Sequence, residues 1–81
     1  MHQFKLENPD RHKLTVVLEP WAEAYYLRKG QVLHLLQPPT ASGYYHLQFW
    51  EDGDLLVFVE GFDYPQVFID GEEVQPWNDF V

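Results

Sequence analysis

Four histidines, His2, His12, His34 and His46, are the side chains best suited to hold a metal or carry a proton. None stands in His-x-His or His-x-x-x-His spacing. A metal pair would therefore have to form across strands, from His34 and His46 with Glu19 or Glu23 as a third ligand. The spacing demands no such site, so no cofactor is expected. There is no cysteine, which leaves Ser42, Thr15 and Thr40 as hydroxyl nucleophiles. Ser42-Gly43 lacks the strained elbow sequence that activates a serine. Carboxylates are plentiful at Asp52, Asp54, Glu51, Glu72 and Glu73, but they flank turn dipeptides. Acid–base work needs one of a pair raised by burial, and turn tips are wet. Asp52-Gly53-Asp54 is similar to a piece of a calcium loop without the bidentate glutamate. No glycine-rich phosphate cradle is present. The chemistry-bearing residues point away from catalysis.

Charge is distributed very unevenly. All five Lys and Arg residues (Lys5, Arg11, Lys13, Arg28, Lys29) lie within residues 1–29, beside four acids. Residues 30–81 carry nine acids and no base, and the net charge is −8. Such a field repels nucleic acid and anionic membrane surfaces and favours a basic protein surface. The missing cysteines suit a reducing cytoplasm. The segment from Met1 to Lys5 lacks the apolar core of a secretory leader, and no apolar run reaches bilayer length.

The elements that must position these residues are short strands. Apolar residues alternate over residues 13–19, 23–28, 31–36, 43–50, 54–60, 66–70 and 72–75, with 3–7 as a further candidate. Pro20 and Gly30 bracket residues 22–27 too closely for a helix. Asp52-Gly53 and Asp70-Gly71 read as two-residue hairpin turns, with Lys29-Gly30 as a third turn. Asn8-Pro9-Asp10 and Pro38-Pro39-Thr40-Ala41-Ser42 read as crossings between sheets. The 81 residues suggest one domain, residues 1–81, of all-β class. Six to eight short antiparallel strands imply a small sandwich or barrel.

A two-residue turn at Asp52-Gly53 sets Trp50 opposite Leu55 and Phe49 opposite Leu56. Leu47, Phe49, Leu56 and Phe58 then form a wholly apolar core face. The other face carries Tyr44, His46, Gln48 and Trp50 beside Leu55, Val57 and Val59. A two-residue turn at Lys29-Gly30 would add Tyr25 opposite His34. This mixed face suits a solvated or lining surface, a homodimer contact, or a pocket for a sugar-like or polar ligand. Three Trp, five Tyr and six Phe exceed what so small a core hides, which favours a contact patch. The expected function is a non-catalytic protein-interaction domain that associates with itself, or alternatively with a basic protein. The ligand pocket is the alternative.

The stretch Leu18-Glu19-Pro20-Trp21-Ala22-Glu23-Ala24-Tyr25-Tyr26-Leu27-Arg28-Lys29-Gly30 resembles a pattern in short bacterial proteins of unestablished activity. In them Glu-Pro-Trp is followed by an acid, a Tyr, an apolar residue, a Gly and an apolar strand. The segment from Val67 to Val74 looks like theirs too. That resemblance implies a small β-sandwich and transfers no catalytic residue. The arrangement around His34 is also faintly similar to a cupin or jelly roll. A cupin has a second histidine two positions on, where this chain has Leu36, so the resemblance brings no metal triad.

Overall fold

The computed structural model describes residues 2–37 and 42–80. Among them are eight strands: β1 (His2–Glu7), β2 (Lys13–Glu19), β3 (Glu23–Arg28), β4 (Val32–Gln37), β5 (Tyr44–Phe49), β6 (Leu55–Glu60), β7 (Gln66–Ile69) and β8 (Glu72–Glu73). They form two four-stranded sheets, ordered β1-β4-β7-β8 and β3-β2-β6-β5. The sheets stay open rather than closing into a barrel, and together they make a small sandwich. Among the described residues no helix is long and apolar enough to cross a membrane.

Alternation builds the core. Leu14, Val16 and Leu18 of β2 point inward and are buried, while Thr15, Val17 and Glu19 point outward. Tyr25, Leu27, Leu33, Leu35, Leu55, Val57, Val59, Val67 and Ile69 complete one apolar cluster. The period-two pattern at 13–19 therefore does what a half-buried strand requires.

One pairing and one connection differ from expectation. β2 and β6 are parallel, with Val16 beside Leu55 and Leu18 beside Val57. A parallel pair needs a long connection, and residues 20–54 supply it by visiting both sheets. The turn at Lys29-Gly30 does not join a hairpin. It carries the chain from β3 in one sheet to β4 in the other. Asn8-Pro9-Asp10 also links strands of different sheets, as the sequence suggests. Residues 38–41 of the other expected crossing lie outside the described residues, but β4 and β5 on either side belong to different sheets.

Asn8 ties the two crossings together. It is fully buried. Its Nδ2 donates to the carbonyls of Arg11 (3.0 Å) and Leu27 (2.9 Å), and its Oδ1 accepts from the Arg11 amide (3.1 Å). Its backbone N–H donates to Gln31 O and its own carbonyl accepts from the Gly30 amide.

The C-terminal segment closes the free edge of β3. Trp77 N–H donates to Ala24 O. Asn78 acts as a one-residue strand: its Oδ1 accepts from the Tyr26 amide at 2.8 Å and its Nδ2 donates to Tyr26 O at 3.1 Å. Phe80 then lies under Lys13 and Arg28, with cation-to-ring distances of 5.2 Å for each. Asn78→Ala removes both ladder mimics, so urea unfolding should show a loss of about 1–2 kcal/mol. An unchanged midpoint would mean that the segment contributes nothing to stability.

Candidate functional site

β5 is an edge strand of its sheet, and the turn after it decides what each side chain faces. Trp50 N–H donates to Asp54 O at 3.0 Å, and Gly53 N–H donates to Trp50 O at 2.9 Å. Glu51, Asp52 and Gly53 thus form a three-residue loop, with Gly53 at φ +91° and the Asp52 carboxylate accepting from the Asp54 amide. This is the type I turn with a left-handed glycine, not the two-residue turn. The extra residue slides the register: Phe49 faces Leu55, Leu47 faces Val57 and His46 faces Phe58. A slip of one residue turns β6 over relative to β5.

The expected core face is corrected accordingly. Leu55, Val57 and Val59 are buried, whereas Leu56 and Phe58 lie on the outer side. Leu47 still points inward and is half-buried. Phe49 has inward parity but sits at the sandwich end and is 79% exposed.

Tyr44, His46 and Gln48 share the outer face with Glu60, Phe58 and Leu56. Val17 and Glu19 of β2 continue the same face beside Leu56 and Phe58. His46 lies 5.5 Å from the Phe58 ring centroid, and its Nδ1 is 3.9 Å from the Glu60 carboxylate. Trp50 Nε1 donates to Gln48 Oε1 at 3.2 Å. Four of the six expected site residues are therefore adjacent.

Tyr25 and His34 are not part of this cluster. Tyr25 belongs to the core, pairs with Val16, and its hydroxyl is 2.7 Å from that of Tyr64. His34 sits in the other sheet between Lys5 and Phe68, with Nε2 2.9 Å from Gln3 Oε1. The sheet switch at Lys29-Gly30 separates the two residues. His34 and His46 occupy different sheets, so the cross-strand histidine pair does not form. Among the described residues no three His, Asp or Glu side chains are grouped to hold a metal ion.

No family model matches this chain, and no curated protein or solved structure matches it.

Among the described residues, three of the five large exposed apolar side chains belong to β5 or its turn: Tyr44 (62%), Phe49 (79%) and Trp50 (56%). No charged residue interrupts them from Tyr44 to Trp50. Alternation alone does not mark Phe49 as a surface residue, because its parity is inward and only its place at the sandwich end exposes it. An apolar cavity of about 340 Å³ opens beside it, between the sheets, with Leu6, Leu14 and Leu55 in its wall and Arg11 at its rim. Arg11 donates to the Asp52 carbonyl at 3.2 Å and lies against the face of Gly53. Gly53→Ala therefore combines a positive φ with the displacement of Arg11. A loss of about 1–2 kcal/mol in urea unfolding is expected; a neutral substitution would show that the loop relaxes to another turn.

Proposed function

We propose that this chain is a non-catalytic protein-interaction domain whose contact surface is the β5 side of the β3-β2-β6-β5 sheet. The observation that carries this reading is the uncharged run from Tyr44 to Trp50 with Tyr44, Phe49 and Trp50 exposed. Tyr and Trp offer wide, stiff contact area at low entropic cost, which is why they dominate contact surfaces. Acids at Glu51, Asp52 and Glu60 border the run and keep other anions away. A second copy is the first partner this chemistry fits, and a basic protein the second. Amide and indole NMR spectra over a concentration series, and with basic proteins added, test the reading. Shifts should centre on Tyr44, His46 and Trp50. Shifts confined to other regions would sink it.

The cavity lined by Leu6, Leu14 and Leu55 favours a second reading, a small-molecule binder. Its mark in the same spectra is a response of those leucine methyls to an apolar ligand. That site lies at the sandwich end and not on the face of Tyr44, His46 and Gln48.

A further inference from the structure

Each sheet of the sandwich has two edges, and three of the four carry a device that discourages pairing. β1 has Lys5 and Glu7. β8 is two residues long and both are glutamate. β3 is covered by Trp77 and Asn78. β5 has six residues with no charge and no proline, and among the described residues nothing hydrogen-bonds to its outer side.

The hydrogen-bond phase of that free side follows from the turn. Trp50 is bonded to Asp54, so by alternation Gln48, His46 and Tyr44 direct their N–H and C=O groups at β6. Tyr45, Leu47 and Phe49 direct theirs outward.

We propose that a second copy of this chain binds here, its β5 antiparallel to the first, with Leu47 of one copy opposite Leu47 of the other. The inference rests on the protein-contact reading above and names the partner.

Self-complementarity is the argument for a second copy. In this register Tyr45 faces Phe49 and Tyr44 faces Trp50, while His46 faces Gln48. Each exposed aromatic of the run meets an aromatic, and the one imidazole meets an amide. The residues with outward backbone groups, Tyr45, Leu47 and Phe49, are also the ones that become reciprocal bonded pairs about a two-fold axis. A register shifted by two residues sets His46 against itself and Phe49 against Gly43, leaving Phe49 and Trp50 without ring partners. A shift by one matches outer with inner side chains and breaks the ladder phase.

Two copies of net charge −8 repel, so self-pairing must strengthen as salt is added. Binding of a basic protein must weaken.

Hydrogen exchange on the full chain, at low and high protein concentration, tests the pairing. The amides of Tyr45, Leu47 and Phe49 should slow at least tenfold on association, while those of Tyr44, His46 and Gln48 are already protected. Sedimentation should show a dimer that tightens with salt. Leu47→Pro removes an outward N–H together with a half-buried side chain and should give a monomer; Phe49→Lys, at an exposed position, should do the same if the proline variant fails to fold. The absence of cysteine makes Leu47→Cys a register probe. It should crosslink to itself on oxidation, whereas Tyr44→Cys, about 20 Å from its copy in this register, should not. A dimer whose three outward amides stay unprotected overturns the strand pairing but keeps the protein-contact reading. A monomer at every concentration and salt also overturns it, and the contact reading then stands or falls on the basic proteins.

Discussion

Replacing Asn8 with alanine lowers the unfolding free energy by about 3 kcal/mol, a large share of what a domain this small possesses. The side chain is fully buried and spends every polar group on backbone: the carbonyl and amide of Arg11 in its own crossing and the carbonyl of Leu27 in β3. Alanine leaves the Leu27 carbonyl without its side-chain donor in a buried setting, which costs more than the bond itself contributes. Asn8→Asp separates donor from acceptor. Its oxygen can still receive the Arg11 amide, but an anion would face the two carbonyls. The aspartate variant should be the weaker of the two at neutral pH and should recover part of its stability as acid protonates it and restores a donor. Urea unfolding at two pH values reads both. Equal stability of all three proteins would mean that the crossings hold without Asn8.

Tyr25→Ala should cost about 3–5 kcal/mol, because it removes the largest of the fully buried side chains and leaves a cavity. Tyr25→Phe keeps the ring and loses only the bond to Tyr64, so about 1 kcal/mol is expected. The pair separates packing from hydrogen bonding. The phenols also set an alkaline limit. Burial pushes Tyr25 well above its ordinary value, with the Tyr64 hydroxyl as the next cause, and burial likewise raises Tyr45 and Tyr64. In the unfolded chain these groups ionise near pH ~10. Above that pH the unfolded state holds fewer protons than the folded one, so stability that is complete below about pH 10 declines as pH rises. Thermal melts between pH 8 and 11 should show this decline, and Tyr25→Phe should flatten it. A melting temperature that does not move over that range would remove the argument.

The strands were more legible than their partners. Residues 13–19 alternate cleanly and 23–28 do so apart from buried Ala24 beside Tyr25, and both segments are strands with the expected bounds. The two Asp-Gly pairs show where local reading stops. Asp70-Gly71 is a two-residue turn with Ile69 opposite Glu72, while Asp52-Gly53 absorbs Glu51 into a longer loop. The dipeptide is the same. What differs is the carboxylate of Asp52 on the Asp54 amide and Arg11 against the turn, contacts that depend on the rest of the fold. Tyr44, His46, Gln48 and Trp50 stayed together because a single strand and its turn hold them. Tyr25 and His34 did not, since joining them required knowing that Lys29-Gly30 leaves its sheet. Periodicity reports which residues face one another's side, but not which sheet a strand joins. The basic residues serve contacts within the fold that their clustering in sequence does not show: Lys13 and Arg28 sit over Phe80, and Arg11 holds the β5–β6 turn.

The clamp of Asn78 on Tyr26 has a consequence in time. Tyr26 is synthesised 52 residues before Asn78, an interval of about 3–10 s at ordinary elongation rates. A hairpin such as β2–β3 closes in about 1–10 μs. It therefore waits on the ribosome with the flank that Asn78 will seal still open, and its other neighbour, β6, is made only part-way through that wait. Lys13 and Arg28, paired across that hairpin, put two like charges at its open end. During those seconds they repel a second nascent hairpin, and once Phe80 arrives they hold it in place.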